Sequence, residues 1–292
     1  MEAPPIGRAF ARIGRLIGLG LLGLALGAGG CRLQGGPPEA AEAASAGSSR
    51  PVEWSYHGDA SPEHWAALSP AYAACGHAGT QSPIDLSAVT VIHGAADVRL
   101  DYHSSGLRIA HHQHVTDILD DGHTLQVTVD EGSRLTTPRD TYELKQFHFH
   151  TPAEHAVDGR IHPMEVHFVH RSASGRFAVL AAFVDVGESN PNMARLIEHF
   201  PDERGETVHR PDVTVDPGVH FTSMASVYAY QGSFTTPPCT EDVEWLLMSE
   251  PLPAGRDQIA AFAEKLEGNA RPIQARGDRP IELRLFTQKL SD

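Results

Sequence analysis

The stretches Gln146-Phe147-His148-Phe149-His150 and Glu165-Val166-His167-Phe168-Val169 decide how this chain is read. In an extended strand successive side chains point to opposite faces, so Gln146, His148 and His150 share one face while Phe147 and Phe149 share the other. The second stretch repeats the arrangement, with Glu165, His167 and Val169 opposite Val166 and Phe168. Six of the 18 histidines lie between positions 148 and 170. The intervening segment carries the turn dipeptide Asp158-Gly159, which would let the two strands pair antiparallel and bring three imidazoles to one point. Three neutral imidazoles fill three tetrahedral positions of Zn²⁺ and leave one open, the pattern of a catalytic site and not of a closed structural one. A competing reading makes these histidines polar residues on a solvated strand face. It leaves Gln146 and Glu165, the acceptors that ligating imidazoles need for tautomer and orientation, without a role.

Outward from this pair, short or alternating apolar runs recur at 107–109, 124–129, 143–150, 165–170, 177–186, 226–230 and 243–248, separated by turns such as Asp121-Gly122 and Ser174-Gly175. Helical patterns are few. Asn190-Pro191 precedes an apolar stripe of Met193, Leu196, Ile197 and Phe200, and Ile259, Phe262, Ala263 and Leu266 repeat it, with Gly268 placed to stop the helix. The expectation is a mainly β (α+β) fold: one domain, residues 53–292, around a large twisted, mostly antiparallel sheet with short peripheral helices.

The amino terminus reads differently. Arg8, Arg12 and Arg15 precede thirteen uncharged residues, 16–28, and small residues lead to Cys31, the layout of an export signal over 1–30. The apolar run is too short for a permanent membrane span, and its glycines argue against a buried helix. A cysteine directly after small residues resembles a bacterial lipoprotein cleavage site, so Cys31 is expected to carry a lipid anchor; simple secretion is the alternative. Residues 31–52, rich in Gly, Pro, Ala and Ser, read as a flexible tether. The expected location is periplasmic or cell-envelope. The 292-residue chain carries a formal charge of −14, and loss of 1–30 leaves 20 basic against 36 acidic residues, which argues against nucleic acid as a partner.

From Trp54 to about Pro280 the chain resembles the α-class carbonic anhydrases. The resemblance is carried by WSYHGDASPEHW (54–65), QSPIDL (81–86), DDGHTLQV (120–127), QFHFHTPAEH (146–155), MEVHFVH (164–170), FAVLAAF (177–183), YQGSFTTPPCTEDVEW (230–245) and NARPIQ (269–274). It implies Zn²⁺ held by His148, His150 and His167, with Gln146, Glu165 and the Asn269 carbonyl orienting the three rings. It also implies that zinc-bound hydroxide attacks CO₂ to give bicarbonate, that Thr235 orients the nucleophile by donating to Glu154, and that Thr236 contacts substrate. Val169, Val179, Phe234, Val243 and Trp245 match an apolar wall beside the metal, with Phe234 in place of the usual leucine; core packing accounts for each of them equally well.

His123 matches the proton-shuttle histidine, with Asp121 and Gln126 replacing the asparagines usual nearby. The family's exported members imply a disulfide between Cys75 and Cys239, and its bacterial members a homodimer. Ester hydrolysis is expected only as a side reaction, since no Ser or Cys nucleophile motif supports a dedicated esterase. A non-catalytic binding module is the other alternative, but such modules typically lack a zinc histidine. His111, His112, His114, His162 and His170 match no ligand position; most are expected at the surface, with weak metal scavenging the alternative for His111-His112-Gln113-His114. The stretch QARGDRPIELRLF (274–286) departs from the family's usual ending.

Overall fold

The computed structural model describes residues 52–91, 98–111, 123–218, 221 and 224–288, all within one compact unit. The expected export signal, Cys31, the expected tether up to Pro51, and Asp121 lie outside them. Among the described residues no helix is long and apolar enough to cross a membrane.

The two histidine-bearing stretches form the strands Thr141–His150 and Met164–Ser172. They pair antiparallel with His148 directly opposite His167 and His150 opposite Glu165. Both strands are buried on both faces along most of their length, because Phe147, Phe149, Val166 and Phe168 enter the larger core cluster while the histidines face the other way. Burial of each such side chain contributes about 1.5–3 kcal/mol, so the phenylalanine face anchors the histidine face. A register shift between Leu144 and Gln146 brings Gln146 opposite Val169.

These strands sit within a thirteen-stranded sheet. Nine of its pairings are antiparallel and four parallel, as expected for a mostly antiparallel sheet. Phe177–Val186 lies beside the second histidine strand, Glu241–Met248 beside that, and Met224–Ser233 next, so Val169, Val179, Trp245 and Tyr230 fall in one cross-strand row. The short helices Pro191–Ile197 and Arg256–Leu266 form where the apolar stripes predict. Asn190 caps the first, its Oδ1 accepting from the backbone N–H groups of Asn192 and Met193. The second ends one residue earlier than the glycine suggests: Glu267 itself takes the left-handed conformation (φ 56°), and Gly268 follows at φ 81°.

Two expectations are corrected. Asp158-Gly159 turns a separate two-stranded ribbon, Ala156–Val157 with Arg160–Ile161, inserted between the long strands. His111, His162 and His170 are buried, not superficial: His162 stacks on Phe183 at 4.3 Å and pairs with Asp185, while His170 is sealed between Tyr102 and the strand Phe177–Val186. The divergent ending runs into the strand Glu282–Gln288, which joins Met224–Ser233 to Val98–Asp101 inside the sheet. His112 and His114 lie outside the described residues. The strand Thr207–Val215, mostly exposed and interrupted by Pro211, had no apolar alternation by which to be recognised.

Candidate functional site

Pairing of His148 with His167, and the period of two that adds His150, makes the three rings neighbours. Their centroids lie 5.0 Å (148 to 150), 5.2 Å (148 to 167) and 4.5 Å (150 to 167) apart, and one donor atom from each falls within 4.8 Å of the others. All three are buried. Each ring spends one nitrogen on an acceptor. His148 Nδ1–H donates to Gln146 Oε1 at 2.8 Å, His150 Nδ1–H to the Asn269 carbonyl at 2.8 Å, and His167 Nε2–H to Glu165 Oε1 at 2.7 Å. That leaves Nε2, Nε2 and Nδ1 as the inward lone pairs. Three neutral nitrogen donors with their tautomers fixed from behind are a donor set that fits Zn²⁺.

Burial alone would raise the Glu165 carboxyl, but His155 and His167 hold it well below the usual carboxylate range. Burial keeps the His167 ring low, Glu165 opposing it. Glu154 Oε1 accepts from the Arg271 backbone N–H at 2.8 Å, and its Oε2 lies 3.6 Å from His150 Nε2 and 4.0 Å from His167 Nδ1. A second carboxylate therefore overlooks the lone-pair side of the triad.

Thr235 and Thr236 are buried in the hairpin between Met224–Ser233 and Glu241–Met248. This hairpin is pinned by Phe234 N–H to Thr240 O, Cys239 N–H to Thr236 O and Trp245 Nε1–H to Ser233 O. Cys239 is disulfide-bonded to Cys75, and the pair packs with Trp54 and Trp65. Val169, Val179, Val243 and Trp245 are buried in one cluster with Phe234 packed against it, and the Trp245 ring lies 4.9 Å from that of His167. Phe234 meets Phe177 edge-on at 5.0 Å, so its larger ring is braced against a second aromatic.

His123 stands on the turn leading into Leu125–Thr128, at φ 63°, the left-handed region. Its Nε2–H donates to the Trp54 carbonyl at 2.8 Å, and its ring lies edge-on to Trp54 (4.8 Å) and Tyr56 (6.2 Å). Gln126 is buried and faces His148 across the neighbouring strand pair.

Sequence reasoning gave no role to two buried groups inside the quoted motifs. His155, the last residue of QFHFHTPAEH, donates Nδ1–H to Glu165 Oε1 at 2.8 Å and meets Tyr230 Oη at 2.7 Å through Nε2. Arg271 sends Nη1–H to Gln81 Oε1 and Ser82 O, and Nη2–H to Cys75 O, beneath the Trp65 ring. Burial drives its pKa down to about 10. Neither residue sits at a periodic position, so only tertiary contact reveals their partners.

The family model for eukaryotic-type carbonic anhydrase matches residues 60–284. A carbonic anhydrase of Nostoc sp. is 39% identical over 233 residues, covering 79% of this chain and 85% of its own length. One from Pectobacterium carotovorum is 34% identical over 240 residues, 81% of this chain and 93% of its own. The α-carbonic anhydrase of Thermovibrio ammonificans, solved in complex with the inhibitor sulfanilamide, superposes with a TM-score of 0.72 at 35% identity, covering 79% of this chain and 99% of that one. A match that spans nearly the whole sheet and relatives above 30% identity agree with the buried three-histidine cluster: this chain belongs to the eukaryotic-type, or α, carbonic anhydrases, lyases that act on CO₂ and bicarbonate.

Proposed function

We propose that the chain catalyses zinc-dependent, reversible hydration of CO₂, with Zn²⁺ held by His148 Nε2, His150 Nε2 and His167 Nδ1. The observation that carries the reading is that each ring already spends its other nitrogen on a fixed acceptor, so three neutral donors converge. Bound there, Zn²⁺ supplies the Lewis acidity that in carbonic anhydrases brings the pKa of a water to about 7.

The chain's own residues do the rest. Thr235 would accept a hydrogen bond from the attacking oxygen and donate its own proton to Glu154, whose Oε1 accepts from the Arg271 backbone N–H. This leaves one lone-pair direction of the nucleophile free, toward the apolar wall of Val169, Val179, Phe234, Val243 and Trp245, where a small neutral molecule sheds water at little cost. Thr236 contacts the product bicarbonate. His123 takes the surplus proton to solvent, suited by an imidazole pKa near neutrality. Ester hydrolysis would be a side reaction of the same nucleophile.

The test is metal content and CO₂ hydration measured on one purified sample, with sulfanilamide as inhibitor. One zinc per chain, rapid hydration and inhibition are expected; bound zinc without hydration would overturn the reading.

Export with a lipid on Cys31 is proposed from the sequence, and the Cys75–Cys239 disulfide supports an oxidising compartment. Intact mass of the native protein tests it: a chain beginning at a lipidated Cys31 is expected, and an unmodified start refutes the anchor. A homodimer is proposed by analogy with bacterial relatives, and sedimentation of the purified domain decides it.

A further inference from the structure

We propose that the sheet carries, on the face turned away from the substrate wall, a binding site for a small oxyanion that keeps one hydroxyl, the chemistry shared by bicarbonate and hydrogen phosphate. Strand alternation sets the site apart from the histidine cluster. Trp245 and Tyr230 lie opposite one another and belong to the apolar cluster beside the histidines, so their neighbours Glu244 and Gln231, also a cross-strand pair, point the other way. On the adjoining strand Glu282 lies opposite Ala229 and Arg284 opposite Val227. A cavity of about 90 Å³ opens between Glu244, Glu282, Arg284 and the Arg279 guanidinium, where Ala229 contributes only a methyl. That is several times the space one water needs.

Two polar atoms in this cavity call for a partner of a particular kind. Glu244 is 1% exposed, and Thr137 Oγ1–H and Tyr142 Oη–H both donate to its Oε2, each at 2.9 Å. Its Oε1 receives no hydrogen bond from the described residues and lies 3.7 Å from Arg284 Nη1, beyond bonding range. Arg284 spends Nε and Nη2 on Glu282 Oε2, at 2.8 and 2.6 Å, which leaves Nη1 buried without an acceptor. Buried donors in that condition are costly. A group seated between the two atoms must accept from Nη1 and donate to Oε1.

Charge narrows the class further. Arg279 lies over the Tyr230 ring at 5.6 Å and gives its N–H groups only to the carbonyls of Arg276, Gln231, Gln81 and Ala275, so no bonded carboxylate balances it. Glu282 is already committed to Arg284. A bridging water would satisfy Nη1 and Oε1 but leave the charge of Arg279 unmatched. A hydroxylated oxyanion does all three: one oxygen accepts from Arg284, the negative charge faces Arg279, and the hydroxyl donates to Glu244. Sulfate has the charge but no proton to give, and its oxygen would meet the lone pairs of Oε1.

The test is isothermal titration calorimetry of the purified protein with sodium bicarbonate, phosphate and sulfate at pH 8 and constant ionic strength, with sulfanilamide in excess to keep the probes off the histidine cluster. Bicarbonate and phosphate are expected to bind, the tighter of the two identifying the source, and sulfate at least about tenfold more weakly, because a site built to receive a hydroxyl rejects the analogue that lacks one. Arg284→Met should weaken both binding anions at least about tenfold, whereas Arg210→Met, at an exposed arginine paired with Asp212, should change nothing. Glu244→Gln, which can donate where the carboxylate cannot, should narrow the gap between phosphate and sulfate. Sulfate binding as tightly as phosphate to the wild type, no binding of any of the three, or unchanged affinity in Arg284→Met would each overturn the proposal. The wild-type contrast needs no variant to fold, and none of these outcomes bears on the zinc reading, which metal content and CO₂ hydration decide separately.

Discussion

His170 should make this protein sensitive to mild acid through a route separate from the metal. Its ring is fully buried, and burial lowers its pKa to about 3 from an ordinary 6.5. Burial outweighs the backbone bond from Nδ1–H to Ala178 O at 3.3 Å, which favours the charged ring, and Tyr102, itself buried and held protonated, fills Nε2 by donating Oη–H at 2.7 Å. Below pH 6.5 the unfolded chain takes up a proton that the folded ring refuses. Stability present above pH 6.5 is therefore lost progressively as pH falls toward 3, at about 1.36 kcal/mol per pH unit.

At pH 4.5 the loss from this one group is about 2.7 kcal/mol. The double variant His170→Leu/Tyr102→Phe removes both polar partners together, so no buried group is left unsatisfied. Urea unfolding of wild type and variant at pH 7.5 and 4.5 should give a smaller acid loss in the variant by about that amount. Zinc-linked and carboxylate-linked losses are common to both proteins and cancel in the difference. Equal losses would refute the assignment of a neutral, sealed His170.

Replacing Cys75 and Cys239 together by serine opens a loop of 164 residues and should lower stability by at most about 5 kcal/mol on the chain-entropy estimate, read by urea unfolding under oxidising conditions. Gly232→Ala forces a methyl against Ser82, Tyr230 and Trp245 and should cost about 1–3 kcal/mol of stability; a neutral effect would mean that the hairpin yields easily. His123→Ala should lower CO₂ turnover in weak buffer and recover with added imidazole, whereas an unchanged rate would remove its proton-carrying role.

The site was legible in proportion to its dependence on local periodicity. His148, His150, Gln146, Glu165 and His167 could be placed because a strand's period of two dictates which side chains share a face. Asn190-Pro191 and the apolar stripe after it marked a helix start by cap chemistry alone. The histidines expected at the surface went wrong for the complementary reason: His170 lies opposite Leu144 and Ala178 in the middle of the sheet, and its burial depends on strands on either side of it in space. The place of the strand that begins in 274–286 could not be read locally, because it pairs with Val98–Asp101, far away in sequence.

By itself, then, the sequence determined the facing of the histidines, the amino-terminal cap of the first helix, the acidic balance and the family to which the motifs point, since each is set by neighbours a few residues apart or by ordered motifs along the chain. Only the tertiary structure decided that Glu165 accepts four hydrogen bonds, that His155, Tyr230 and Ser82 stand in line behind it, and that Arg271 joins Cys75 to Glu154. Those contacts join residues up to 196 positions apart, and no spacing along the chain encodes which distant groups the folded sheet will press together.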